Sequence, residues 1–301
     1  MMETSSKIEE NLLDPAFLSR LEQLQVVARK VFLGRMRGER RSRKKGVSMD
    51  FADYRDYVRG DDLRFLDWNI YSRLERLFIK LFQEEEDLYF YILFDASRSM
   101  DFGHPRKFYY ARQLAAALGY IALCNHDKLV AGAFRGGLDA DLFRPASGKG
   151  AVWRLLEYLN RVQCAGETNL QEAVRAFVLR HKRPGVAVII SDFMDPAGFE
   201  GALRLFVTRN WETFVIQVLS QEEVNPELTG HLELLDSELD LKTEVTINEA
   251  LIRHYKRTLQ AFCDRLRNYC VRYGIGYFGA QTSLPPEQLI FRYLRQIGLL
   301  K

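Results

Sequence analysis

The stretch Leu88-Tyr89-Phe90-Tyr91-Ile92-Leu93-Phe94, followed by Asp95-Ala96-Ser97-Arg98-Ser99-Met100, decides the fold. Seven consecutive apolar and aromatic residues read as a strand buried on both faces, the mark of a central strand in a sheet covered by helices. The turn after it changes character at once. Asp95, Ser97 and Ser99 present a carboxylate and two hydroxyls at alternate positions, where chain leaving a strand tip can aim oxygens at one point. Hard divalent cations such as magnesium take oxygen ligands in near-octahedral array and keep water or a partner's carboxylate in the remaining positions.

Downstream, the pattern is strand, helix, strand pair, helix, helix, strand, helix, strand. The expected elements are a helix from Pro105 to about Asn125, a strand from Lys128 to Phe134, and a hairpin through Arg135-Gly136-Gly137 into Leu138 to Phe143. Helices follow over Ala151 to Arg161 and up to His181, then the apolar run Val186 to Ile190 ending on Ser191-Asp192-Phe193-Met194-Asp195. A helix through Leu203 and Thr208 and a strand from Thr213 to Leu219 continue it. This alternation predicts an α/β, doubly wound, mostly parallel sheet. Residues 221–247 interrupt it as an inserted hairpin. A helix from Asn248 to Tyr273, a strand from Ile275 to Ala280 and a helix after Pro285-Pro286 close the chain. The stripe Leu251, Tyr255, Leu259, Phe262, Leu266 and Tyr269 reads as core.

Upstream, residues 1–49 hold a helical pattern over 10–33 and a basic run, 29–45, with nine Lys or Arg against Glu39. Such a run reads as a solvated loop, with anionic lipid or nucleic acid as the alternative occupant. Residues 50–87 form a leading segment dense in charges and rings, ending in an apolar run from Arg76 to Phe82 and the acidic turn Glu84 to Asp87. Residues 88–301 form the sheet domain. A net charge of +3 with 28% charged residues does not by itself argue for a nucleic-acid partner. Ser147-Gly148-Lys149-Gly150 lacks the spacing of a phosphate loop. Four cysteines without metal-ligand spacing fit a reduced, cytoplasmic setting, and no apolar run reaches the roughly 20 residues of a membrane span. Peripheral membrane association stays open.

In open α/β sheets ligands bind beyond the carboxyl ends of the strands, where strand order reverses. If the strands ending in Asp95 and Asp192 are neighbours there, the two acids face one crevice, and Thr168 adds a hydroxyl from the loop before the intervening helix. Asp195 reads as a helix N-cap. Asp61, Asp62, Arg64, Asp67 and Arg73 read as an ion-pair network fastening the leading segment to the sheet domain. Trp68 reads as its packing anchor or as part of a partner surface.

Asp95-x-Ser97-x-Ser99, Thr168 in a Gly-x-Thr loop and Asp192 resemble the metal-ion-dependent adhesion site of the von Willebrand factor A domain. Together with Tyr57-Val58-Arg59-Gly60-Asp61-Asp62-Leu63-Arg64, Asp67-Trp68, Ser72-Arg73 and Lys80, residues 50 to 295 resemble a bacterial family of uncharacterised A-domain proteins associated with MoxR-type AAA+ ATPases. The resemblance implies Mg2+, with Mn2+ or Ca2+ as substitutes. Ser97, Ser99 and Thr168 would touch it, while Asp95 and Asp192 act through water. It also implies a non-enzymatic adaptor whose partner supplies an Asp or Glu to the metal. The competing reading is a haloacid-dehalogenase-like phosphotransferase with Asp95 as nucleophile. That class expects an acid where this chain has Ser97.

Overall fold

The structure, a computed structural model, describes residues 14–26, 49–84, 88–226, 230–235 and 242–301. The chain divides into two units, residues 31–87 and the remainder. The expected basic loop and the acidic turn at 85–87 fall outside the described residues, as does the helical pattern on both sides of 14–26. Helix α1 (Pro15–Leu21) belongs to the larger unit and stops sooner than its apolar periodicity predicts.

The smaller unit, which showed no clean periodicity, is an antiparallel hairpin of β1 (Met49–Asp56) and β2 (Phe78–Glu84) with helix α2 (Trp68–Leu74) between them. The charges that blur its pattern build its turns. Asp67 caps α2 by accepting from the Asn69 and Ile70 amides and pairs with Lys80 at 3.0 Å. Asp62 caps the single turn Leu63–Phe65.

In the larger unit a six-stranded sheet runs in the order β10-β7-β6-β3-β4-β5. The strands are β3 (Tyr89–Asp95), β4 (Lys128–Phe134), β5 (Phe143–Ala146), β6 (Val186–Ser191), β7 (Glu212–Leu219) and β10 (Gly276–Gln281). All pairs are parallel except β4 with β5. The chain leaves β3 toward β4 but leaves β6 toward β7, so the order reverses between β3 and β6.

Helices α3 (Lys107–Cys124), α4 (Val152–Arg161), α5 (Leu170–Arg180), α6 (Glu200–Thr208) and α8 (Glu249–Arg272) cover the sheet, with the four-residue α7 (Gln221–Val224) after β7. On one face of β3, Tyr91 stacks on Trp211 at 4.3 Å and meets Phe177 edge-on. On the other, Ile92 and Phe94 face α3 and Tyr158. Each such side chain contributes about 1.5–3 kcal/mol when fully buried. That explains an unbroken apolar run where a one-sided strand would alternate.

Helix α3 packs against the sheet, α4 and α1, so its small residues serve close approach on several sides. Strand β5 is four residues long, with Arg144 and Pro145 exposed. The hairpin of β8 (Gly230–Leu235) and β9 (Lys242–Ile247) makes its own two-stranded sheet. Among the described residues no helix is long and apolar enough to cross a membrane.

Four expectations are corrected. Helix α3 starts at Lys107, two residues beyond Pro105, because residues 103–106 form a turn. The strand expected at Leu138 begins at Phe143. Gly136 and Gly137 take positive φ, and the Gly136 amide donates to the Glu167 carbonyl, carrying 135–142 across the sheet end. The stripe on α8 is core only in its second half, where Leu266 is buried. Leu251 and Tyr255, in the first turns of this 24-residue helix, are more than a third exposed. Trp68 is 62% exposed, set edge-on to Tyr71 rather than anchoring a core.

Gly185 enters β6 so close to β3 that a Cβ would lie 2.2 Å from the Tyr89 carbonyl oxygen. Gly185→Ala is therefore expected to cost about 1–3 kcal/mol in urea unfolding. Gly150→Ala, where a Cβ meets nothing within 4 Å, leaves the midpoint unchanged.

Candidate functional site

Parallel pairing of Phe94 with Ile190 places the ends of β3 and β6 side by side at the reversal. The two polar strand ends then meet. Ser191 Oγ donates to Asp95 Oδ2 at 2.6 Å, across 96 residues of sequence. Asp95 Oδ1 accepts from the Ser97 amide at 2.9 Å and from Ser97 Oγ at 2.6 Å. Ser97 has one hydroxyl proton and gives it to Asp95, so in its 2.9 Å contact with Ser99 it is Ser99 that donates. Oxygen lone pairs on both serines remain for another group.

The Gly-x-Thr loop docks on this turn through main-chain bonds, Arg98 N to Gly166 O at 3.0 Å and Ala165 N to Ala96 O at 2.9 Å. Thr168 is buried on that loop. Asp195 fixes the loop's far end by accepting from Leu170 N at 2.7 Å, and also accepts from Ala197 N. Its expected role as a cap is corrected: α6 starts at Glu200 after Phe199, and Asp195 instead braces the start of α5.

Asp95 and Asp192 are both fully buried. Burial first, and then the charge of Asp192, push the Asp95 carboxyl up to about 7, against the pull of its serine hydrogen bonds. Asp192 is compensated differently. Lys107 Nζ donates to Asp192 Oδ2 at 2.7 Å and to Glu223 Oε1 at 2.6 Å, with 1% of the lysine side chain exposed. Burial works against the ammonium, yet the two carboxylates hold its pKa above the ordinary value. Asp192 Oδ1 accepts from the Met194 amide, and its carbonyl accepts from Gln217.

Of the five predicted oxygen donors, Asp95, Ser97 and Ser99 are thus joined directly. Thr168 and Asp192 are carried to the same strand ends by loop docking and by β6. The donor set is hydroxyl and carboxylate oxygen, the chemistry of Mg2+ or Mn2+, and the uncompensated Asp95 is a place for positive charge. Among the described residues no cluster of three His, Cys, Asp or Glu could hold a metal ion, so a cation here would depend on the hydroxyls. Both Asp95 oxygens accept hydrogen bonds within the cluster, from Ser97 and from Ser191.

Several charges of the smaller unit pair with one another. Asp61 takes a two-pronged bond from Arg55 at 2.6 and 2.7 Å and accepts from Val58 N. Arg55 chiefly, with the Val58 amide, holds its carboxyl below the usual range. Asp62 pairs with Arg64, and Asp67 with Lys80. Lys80 is the main reason that the Asp67 pKa is lowered. These bonds brace the segment's own turns. Arg73 has no ion pair among the described residues.

The model of a family described as proteins of unknown function, DUF58, matches residues 53–262. The chain belongs to the DUF58 family. An uncharacterized protein of Mycobacterium tuberculosis strain H37Rv is 26% identical over 255 residues, covering 82% of this DUF58 chain and 79% of that protein. Among solved structures, the conserved hypothetical protein BatB from Bacteroides thetaiotaomicron is similar at 14% identity, covering 70% of this chain and 98% of that one, with a TM-score of 0.43. An aerotolerance-related membrane protein from Bacteroides fragilis is similar at 16% identity, covering 69% and 99%, with a TM-score of 0.41.

Sequence reasoning missed Ser191, Lys107 and Glu223 in this DUF58 chain. Lys107 did leave a signal. A cation in the first turn of a helix opposes the helix dipole and calls for a carboxylate nearby. Ser220-x-x-Glu223 also has the form of a capping box, and both its bonds are made.

The raised Asp95 carboxyl sets a pH dependence. Unfolded, Asp95 loses its proton near 3.8; folded, it keeps it to about 7. Over that window the native state binds more protons than the unfolded one, so the contribution to stability is full below 3.8 and is lost as pH rises through 7. In chelator-treated protein, the stability of wild type relative to Asp95→Asn is expected to fall between pH 4 and 7. Denaturant melts at several pH values check this.

Proposed function

We propose that this protein is a metal-dependent protein-binding module with a von Willebrand factor A type of site, in which Mg2+ sits among Ser97, Ser99 and Thr168. Asp95 and Asp192 lie behind it, and an Asp or Glu of a partner completes its shell. The observation that carries the reading is the buried, uncompensated Asp95 at the strand-order reversal, with two serine oxygens and a docked threonine loop at the same strand ends. The metal supplies a positive charge to which a carboxylate binds. The chain's own residues orient it: Ser191 and the Ser97 amide hold the Asp95 carboxylate, and Asp195 holds the threonine loop.

The partner we propose is a MoxR-type AAA+ ATPase, with this chain as adaptor in remodelling or assembly. Support comes from the sequence resemblance of the leading segment from Tyr57 to Arg73. Its exposed apolar residues Val58, Leu63, Trp68 and Leu74 offer a second contact surface.

Calorimetry is expected to find one Mg2+ per chain, with Ser97→Ala/Ser99→Ala weakening it at least tenfold. An ATPase should be recovered in pull-downs with Mg2+ and lost with chelator or with the double variant. Recovery of the same ATPase irrespective of both would detach the partner from the metal. Hydrolysis of an aryl phosphate is expected to be absent. Magnesium-dependent turnover abolished by Asp95→Asn would instead make the protein a phosphotransferase.

A further inference from the structure

Lys107 and its partner Glu223 belong to the strand-end cluster and the proposed function uses neither, yet the placement of the lysine is costly. An ammonium with 1% of its side chain exposed, in the first turn of α3, opposes both desolvation and the helix dipole. Its two carboxylates come from different elements: Asp192 follows β6, and Glu223 lies in α7 after β7. Neither acid is loosely held. Asp192 Oδ1 accepts from Met194 N, while Glu223 Oε2 accepts from Ser220 N at 2.8 Å. The wall beside Lys107 is tight as well, since a Cβ on Gly103 would lie 2.4 Å from Ser220 Cβ. Moreover, His104 N donates to Glu222 Oε1 at 3.0 Å. The ammonium is therefore shut away from solvent between the two carboxylates.

We infer that Lys107 is a resident counter-ion that keeps Asp192 out of direct contact with a bound metal, so that one coordination position stays with water until an external carboxylate takes it. This rests on the metal site proposed above and adds a residue that sets its selectivity for acidic partners. A carboxylate held between an ammonium and an amide has its charge offset and its orientation fixed, so it is a weaker direct ligand for a cation. An incoming Asp or Glu brings its full charge and is free to turn toward the metal. Glu223 makes the arrangement stable, because it neutralises the ammonium when Asp192 also faces the metal's charge.

The test uses the full chain and Mn2+ as probe, with affinity from calorimetry and the number of metal-bound waters from water-proton relaxation. Lys107→Met/Glu223→Gln keeps the net charge of the trio and frees Asp192. It is expected to bind Mn2+ at least tenfold tighter than wild type, with at least one fewer bound water. Glu223→Gln alone leaves the ammonium on Asp192 and removes a compensating charge. It should bind at least threefold more weakly with the wild-type water count, and it keeps the test decisive if chains lacking Lys107 do not fold. Affinities equal to wild type in the variants that fold would overturn the inference while leaving the metal site standing. No Mn2+ binding at millimolar concentration by any chain would overturn both. Binding by the double variant alone would support the role of Lys107 and remove the site as proposed for the native protein.

Discussion

Two carboxylates end adjacent parallel strands where water does not reach, and one ammonium lies beside them. The cost of a buried, unpaired charge is several kcal/mol, larger than most single contacts in a fold, so it dictates how the surrounding loops are arranged. Lys107 goes to Asp192. Asp95 is left with Ser97, the Ser97 amide and Ser191, which are dipoles rather than a charge. The two sides of the crevice are therefore unequal in the protein alone: one acid is paired with an ammonium, and the other has no cation beside it, so that burial raises its carboxyl. That inequality follows from the β3–β6 register, since sliding either strand by one residue would turn Asp95 or Ser191 to the opposite face.

Much of this was legible in the chain itself. The apolar runs of β3 and β6 have no polar alternation to dilute them, and each stops abruptly at an acid, so both the strands and their polar ends could be read directly. Helices α4, α5 and α6 and the hairpin of β8 and β9 could be read for the same reason, a clear period bounded by turn residues. Elements fixed by tertiary bonds were hidden. Strand β1 was masked by charges that pair across the segment, such as Arg55 with Asp61. The start of β5 was displaced by loop docking at Gly136. In the site, the donor residues were visible as a spacing. Lys107 and Glu223 lie 116 residues apart and become neighbours only when β7 is placed beside β6.

The smaller unit shows a different balance. Its described buried apolar residues are Leu66 and Ile79, while Trp68, Val58, Leu63 and Leu74 face outward. A two-stranded ribbon with a seven-residue helix gains little from such a core. Caps and short-range ion pairs therefore hold its turns, and exposed pairs of that kind contribute about 0–1 kcal/mol each. Its sequence thus reads as charge-dense and aperiodic even though its local geometry is well specified.

Strand β5 closes one side of the sheet with a proline and an arginine directed outward over only four residues. Pro145 has no amide hydrogen to give and Arg144 disfavours a flat apolar approach, so this margin cannot be extended by another chain's backbone. Recruitment by strand addition, the cheapest way for an open sheet to gather companions, is thereby blocked on that flank. On that side, contact with other molecules falls to side chains, where it can be made conditional.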